Sequence, residues 1–242
     1  MIILLWLSCW VVGRSDARQL KFSHITKTAG SAIEVAAKKR HVLWGLYDPL
    51  MNQTVGRWHQ PIMYLPRNIR QNYDWFIVVR NPFTRLISEF YWYPHCIIGG
   101  RTERQNNLCN ILKYQNILYE KPAHENLLYI QPQNMTAPLL NVLTYIHIKN
   151  RGINTGYHYL EQHLYIDNAC DCNFHVLKYE NVTQDFNNLA RRYNLDVELT
   201  PPMAKRGHSN PRLLCMRDFD DKTRRFIVQT YIDDFKRFNY SY

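Results

Sequence analysis

Phe22-Ser23-His24-Ile25-Thr26-Lys27-Thr28-Ala29-Gly30-Ser31-Ala32-Ile33-Glu34 reads as the end of a short strand, a tight turn and the start of a helix. The turn carries a lysine, a glycine and two hydroxyls, Thr28 and Ser31. That set suits a phosphate. Backbone N–H groups at a helix N-terminus point at an anion, and the helix dipole favours negative charge there. Gly30 lets the backbone approach closely. Lys27 adds a full positive charge, and the hydroxyls are donors. The pattern G-x-x-x-x-G-K-[ST] is absent, because the lysine precedes the glycine. The segment by itself fits an ordinary strand-to-helix turn with a solvated lysine equally well.

A second stretch adds to the first. Trp75-Phe76-Ile77-Val78-Val79 is an apolar, β-rich run suited to a buried parallel strand. It leads into Arg80-Asn81-Pro82-Phe83-Thr84-Arg85-Leu86-Ile87-Ser88-Glu89-Phe90. Pro82 suits the first turn of a helix. Leu86, Phe90 and Tyr93 recur at helical spacing. Arg80 then stands at a strand end, and Ser88 about two turns into the next helix. A guanidinium fork with a hydroxyl is a receptor for a second phosphate. Open α/β sheets bind ligands beyond the carboxyl ends of their strands. Two such sites imply a nucleotide phosphorylated at both ends of its ribose.

The pair "HITKTAGSAIE" and "VVRNPFTRLISEFY" resembles the two cofactor motifs of sulfotransferases, in the membrane-associated carbohydrate branch that includes heparan and chondroitin sulfotransferases. Later segments are similar too: Gly156 to Gln162, Val176 to Asn181, and Phe235 to Tyr240. The likeness covers most of residues 20–242. It implies an α/β fold with a central parallel sheet flanked by helices, and 3′-phosphoadenosine-5′-phosphosulfate as sulfuryl donor. It implies that Lys27 and the turn Thr28, Ala29, Gly30, Ser31, Ala32 hold the 5′-phosphosulfate. Arg80 and Ser88, eight residues apart as in the family pattern, would hold the 3′-phosphate. The chain departs from the family at Thr26, usually proline, and at Ala32, where a second hydroxyl usually follows Ser31. Backbone N–H groups do most of the binding in such a turn, so a lost hydroxyl costs only ~1 kcal/mol.

Sulfuryl transfer needs a general base for the acceptor hydroxyl. Histidine suits neutral pH. His59, in Arg57-Trp58-His59-Gln60-Pro61, lies 21 residues before Arg80, where the family places its catalytic histidine. "WHQP" resembles a Trp-His-x-Pro element of related sequences. His24, His41 and Glu34 are the other candidates, Glu34 fitting a capping or structural role better. Lys27 would also be catalytic, stabilising charge on the bridging phosphate oxygen as the sulfuryl group departs. Lys205 to Pro211 resembles a late basic loop that closes over the cofactor's 3′ end, with Arg206 as its ligand. The chain offers no convincing metal site: Cys170-Asp171-Cys172 with His175 lacks finger spacing.

A chain of 242 residues fits one large α/β domain. Its net charge of +10 suits an anionic partner. Met1 to Val12 is apolar and shorter than the ~20 residues a span requires, so residues 1–18 read as a signal peptide or short signal anchor with stem. Residues 19–242 would form the sulfotransferase domain. Four sequons, at Asn52, Asn134, Asn181 and Asn239, favour passage through the Golgi lumen, as a single-pass type II membrane protein or a secreted one. Cys96 and Cys109 could close a loop, and Cys170 or Cys172 could pair with Cys215. Residues 96–136 are expected to form helices and loops over the substrate cleft. Helices are expected over Pro138–Lys149, Thr183–Tyr193 and Asp220–Phe238, and a strand over Phe174–Lys178.

The expected partner is an anionic or neutral glycan acceptor, with membrane contact through the N-terminal segment and no nucleic acid. Two other readings stand beside it. A phosphate-loop phosphotransferase is disfavoured by the lysine position and by the lack of a clear carboxylate for magnesium. A non-catalytic basic glycan-binding protein could keep the same fold.

Overall fold

A computed structural model describes residues 18–51, 58–92, 136–149, 157–167, 169, 171–200 and 214–242, and the backbone of short strands at 95–97, 118–120 and 127–130. The sheet that positions the site has three parallel strands: β1 (Gln19–Phe22), β2 (Tyr73–Val79) and β6 (Phe174–Lys178), with β2 in the middle. Phe22 pairs with Phe76, and Val79 with Lys178. All three strands run the same way, so the segments after Phe22, Val79 and Lys178 emerge at one edge of the sheet.

Helices cover both faces. Strand β2 is buried along nearly its whole length, as its unbroken apolar run requires of a central parallel strand. Phe76 and Val78 pack with Phe22, Ile33, Trp44 and Phe186 beneath helices α1 (Gly30–Lys38) and α5 (Val182–Arg192). Ile77 and Val79 point the other way, onto Tyr165 and Phe238. The intervening helices are α2 (Arg67–Arg70), α3 (Pro82–Trp92) and α4 (Ala137–Lys149). Phe83, Leu86 and Phe90 of α3 meet Leu140 of α4 and Ile227, Tyr231 and Phe235 of the C-terminal helices in a further core. Full burial of each such side chain contributes ~1.5–3 kcal/mol.

Three expectations change. Residues 220–238 are not one helix but two, α6 (Asp221–Thr230) and α7 (Ile232–Arg237), broken at Tyr231. Tyr231 leaves helical geometry, is buried, and donates its hydroxyl to the Tyr159 carbonyl at 2.8 Å. Within 96–136 the described residues form an antiparallel sheet, β3 (His95–Ile97), β4 (Leu118–Glu120) and β5 (Leu127–Ile130), in the order β3-β5-β4. Strand β5 pairs on both sides, Tyr129 opposite His95 of β3 and opposite Tyr119 of β4, and this ladder is a tertiary signal that local propensity does not carry. Cys215 is a free thiol, so neither Cys170 nor Cys172 bonds to it. Its side chain instead caps the turn at Met216–Asp218, whose Asp218 carboxylate accepts from the Cys215 N–H at 2.6 Å. Cys172 is disulfide-bonded. The leader Met1–Val12, the side chain of Cys96, residues 98–109 with Cys109, Asn52, Asn134 and the loop with Arg206 lie outside the described residues. Among the described residues no helix is long and apolar enough to cross a membrane.

Candidate active site

The loop between Phe22 and Gly30 bends tightly. Lys27 has φ 62° and Ala29 φ 77°, left-handed geometry at two residues that carry a Cβ. Such positions cost ~1–3 kcal/mol each and cluster where a ligand is gripped. Ala29 precedes α1 and no side chain caps that helix start, so the opening N–H groups of α1 have no side-chain acceptor. Ser31 is exposed in the first turn. The Thr28 hydroxyl, expected to face a ligand, is buried and donates to the Ile25 carbonyl at 2.7 Å. What Thr28 offers outward is backbone.

Gly30 has a second reason to be glycine. A Cβ there would stand 2.1 Å from Cδ2 and Nε2 of His24. Gly45 does the same for Glu34, whose Oε1 lies 1.7 Å from the Cβ position. These glycines make room for a buried pair, His24 Nδ1 and Glu34 Oε1, 2.7 Å apart. Glu34 also accepts from the Leu46 N–H at 3.0 Å. It is a pin between loop, helix and turn.

Arg80 joins the two motifs. It follows the last residue of β2, and Asn81 caps α3 by accepting from the Phe83 N–H at 3.0 Å. Arg80 Nη1 donates to the Lys27 carbonyl at 3.2 Å, and Nε to the Thr84 hydroxyl at 3.1 Å. Its guanidinium lies 4.0 Å from the centre of the Tyr179 ring, at the end of β6. Thr84 and Ser88 are one turn apart on α3, so they share a face. Ser88 is half-buried. Burial lowers the Arg80 pKa, opposed by Tyr179 and Glu180. Burial also lowers Lys27, to about 8, with Glu89 opposing and Arg80 adding to the fall.

Side chains other than the expected ligands hold this geometry. Buried Gln162 grips the Arg80 backbone at both ends: Oε1 accepts from the Arg80 N–H and Nε2 donates to its carbonyl, each at 2.9 Å. Buried Asp234 of α7 holds Gln162 in turn, accepting from its N–H at 2.9 Å. Arg85 is buried and donates to the carbonyls of Thr26, Leu160 and His158 at 3.2, 2.8 and 2.9 Å. Arg85 and Glu89 sit among Leu86 and Phe90 on the buried side of α3. Charges on an apolar face were the available signal.

His59 packs against the turn. Its ring centroid is 4.4 Å from that of His24 and 5.5 Å from that of His158. Its Nδ1 lies 3.4 Å from the His24 carbonyl, and the Tyr165 hydroxyl donates to its own carbonyl at 2.6 Å. Burial, then the neighbouring imidazoles, depress its pKa to about 2. It is neutral at physiological pH, and the burial that keeps it neutral also weakens it as a proton acceptor in the unliganded site. His158 Nδ1 faces both oxygens of buried Glu89, at 3.0 and 3.2 Å. His41, with φ 59°, is exposed just after α1 and only closes that helix, its N–H donating to the Lys38 carbonyl.

One edge of the sheet thus gathers a lysine, an arginine, uncapped helix N–H groups and a cluster of imidazoles. A family model described as "Sulfotransferase family" matches residues 16–241. Comparison with curated proteins and comparison with solved structures each gave no match.

Proposed function

We propose that this chain, which belongs to the sulfotransferase family, moves a sulfuryl group from 3′-phosphoadenosine-5′-phosphosulfate to a glycan hydroxyl. The observation that carries the reading is the bond from Arg80 to the Lys27 carbonyl, which ties the 3′-phosphate motif to the phosphosulfate turn. The donor supplies an activated S–O bond to phosphate. Lys27 and the N–H groups of Thr28 to Ser31 would hold its phosphosulfate, with Ala32, whose N–H donates to the Ala29 carbonyl at 3.0 Å, closing the turn around it. Arg80 and Ser88 would hold the 3′-phosphate, with Arg206 as a further ligand.

In the transfer the acceptor hydroxyl oxygen bonds to sulfur. Its proton passes to Nε2 of neutral His59, whose Nδ1 backs onto the His24 carbonyl. The S–O bond to phosphate breaks, and the Lys27 ammonium stabilises the charge left on that oxygen. No metal is required for this step.

Lumenal passage through the Golgi, as a single-pass or secreted protein, belongs to the same reading. The apolar leader supports it, as do the sequons, of which Asn181 and Asn239 are exposed. The test is transfer of labelled sulfate from the donor to heparan, chondroitin and neutral glycans. Wild-type protein is expected to label at least one class, and Arg80→Ala and His59→Gln none. Equal labelling by Arg80→Ala, with the fold intact, would refute it.

A further inference from the structure

We infer that Glu180 and Tyr240, together with Gln162, are positioning residues that aim the Arg80 guanidinium at the cofactor's 3′-phosphate, an inference that rests on the sulfuryl-transfer reading. All the backbone polar groups from the Val79 carbonyl to the Asn81 N–H are held by side chains from later segments. Gln162 holds the Arg80 N–H and carbonyl, each at 2.9 Å. The Asn81 N–H donates to Glu180 Oε1 at 3.2 Å. The Val79 carbonyl accepts from the Tyr240 hydroxyl at 3.2 Å. The same hydroxyl lies 2.9 Å from Glu180 Oε2. The Asn81 side-chain amide donates to the Ser241 carbonyl at 3.4 Å.

Glu180 is the joint of this clasp. One oxygen holds the residue after Arg80, and the other meets the tyrosine that holds the residue before it. The Tyr240 hydroxyl has one hydrogen for two acceptors, and the carboxylate draws the larger share. Burial and Glu180 raise the Tyr240 pKa, so the hydrogen stays on at neutral pH. The clasp gathers the end of β2, the turn Tyr179–Asn181 after β6 and the segment after α7 around one arginine.

What the clasp fixes is the direction in which Arg80 leaves the strand. The side chain is then held at Nε by the Thr84 hydroxyl and at Nη1 by the Lys27 carbonyl, with the Tyr179 ring against one face. Among the described residues Nη2 makes no hydrogen bond, so that edge of the fork is the one a phosphate would meet. Guanidinium donors lie in the plane of the fork, so a tilt at Cα turns them off a phosphate. Displacements of about 1 Å in such sites can cost about 100-fold. Charge alone does not account for Glu180. Burial lowers the Arg80 pKa, and Glu180 is among the groups that oppose it. A carboxylate that close to Arg80 also repels an incoming phosphate. Its place is explained by the backbone it holds.

The test is calorimetry with 3′,5′-adenosine bisphosphate and with adenosine 5′-monophosphate, which lacks only the 3′-phosphate. It is run on wild type, Tyr240→Phe, Glu180→Ala and Glu180→Gln, with circular dichroism to check that each is folded. Tyr240→Phe removes only the hydroxyl and keeps the ring beneath Lys178 Nζ. Tyr240→Phe and Glu180→Ala are each expected to weaken bisphosphate binding about tenfold, the scale of one charge-assisted hydrogen bond, and to leave monophosphate binding within about twofold. Glu180→Gln, whose amide oxygen can still accept from Asn81, should fall between wild type and Glu180→Ala. Charge alone would make Glu180→Ala bind the bisphosphate more tightly, so the sign of that change separates positioning from electrostatics. An unchanged ratio of the two affinities in both Tyr240→Phe and Glu180→Ala, or an equal loss of both nucleotides, would overturn the positioning role alone. A folded wild type that binds the two nucleotides equally would instead overturn the 3′-phosphate reading, and the positioning role with it.

Discussion

Replacing Gly30 with alanine is expected to break the phosphate turn from behind, not from the ligand side. The new Cβ would stand 2.1 Å from Cδ2 and Nε2 of His24 and 2.6 Å from Cε1. Contacts under 3.0 Å do not persist, so the imidazole must move. It is boxed in. Glu34 holds its Nδ1 at 2.7 Å, Phe22 stacks on it at 5.5 Å, and His59 meets it at 4.4 Å. Overpacking costs about 1–3 kcal/mol. Breaking a buried hydrogen bond to a charged group adds about 1.5–3 kcal/mol. Alanine's helix preference over glycine returns at most about 1 kcal/mol. The net loss is about 1.5–5 kcal/mol, which for a chain of this size lowers the melting temperature by roughly 3–20 °C. Thermal melts followed by circular dichroism measure it. The double variant His24→Ala, Gly30→Ala should be less destabilised than the two single losses added together, because the clash is gone. A Gly30→Ala protein that melts within about 2 °C of wild type yet binds the bisphosphate more weakly would refute the reasoning. The glycine would then serve only the ligand's approach.

Two further predictions concern charge. Lys27 titrates near 8 when the site is unliganded, below its ordinary value of 10.5. Bisphosphate affinity should therefore fall about tenfold per pH unit above 8, with proton uptake on binding, and Lys27→Met should abolish both. The sign for folding is opposite: the unfolded lysine holds its proton more tightly, so this group adds stability as pH rises from about 8 to 10.5. Calorimetry in two buffers of different ionisation enthalpy reads the uptake. Asp234 accepts from Gln162 N–H and Nε2 at 2.9 and 3.3 Å, and from His163 N–H and Nδ1 at 2.8 and 3.0 Å. Asp234→Asn should cost about 2–4 kcal/mol by thermal melts, the scale of a broken buried polar network, and weaken bisphosphate binding through Arg80. The Asp234 hydrogen bond also raises the His163 pKa, so its stabilisation is full below about 6.5 and is lost as pH rises through the folded value. In the variant that pH dependence should flatten.

The parts of the fold legible in the sequence were those where local and global signals agreed. Trp75 to Val79 is apolar without interruption and became the central strand. Asn81-Pro82 starts a helix because asparagine caps and proline tolerates the first turn. Phe174–Lys178 is a strand with those bounds. The break at Tyr231 was hidden because helical periodicity continues across it, and only tertiary contacts with Tyr159 and Gln162 require the kink.

The site was legible in its charges but not in their supports. Lys27 and Arg80 announced themselves as cations at turns. Arg85, Glu89 and Asp234 are buried, and their roles depend on carbonyls and imidazoles tens of residues away, which no local pattern brings together. At Gly30 the sequence shows only room for a ligand, while its tightest neighbour in the fold is a histidine six residues earlier.

Calorimetric titration with 3′,5′-adenosine bisphosphate, beside ADP and ATP, tests the central claim most directly. The geometry predicts tight binding of the bisphosphate alone, lost in Lys27→Ala and in Arg80→Ala while both variants stay folded. Equal binding of ADP, or no effect of Arg80→Ala, would contradict it, and Arg80 and Ser88 would then be parts of the scaffold and not a receptor for a 3′-phosphate.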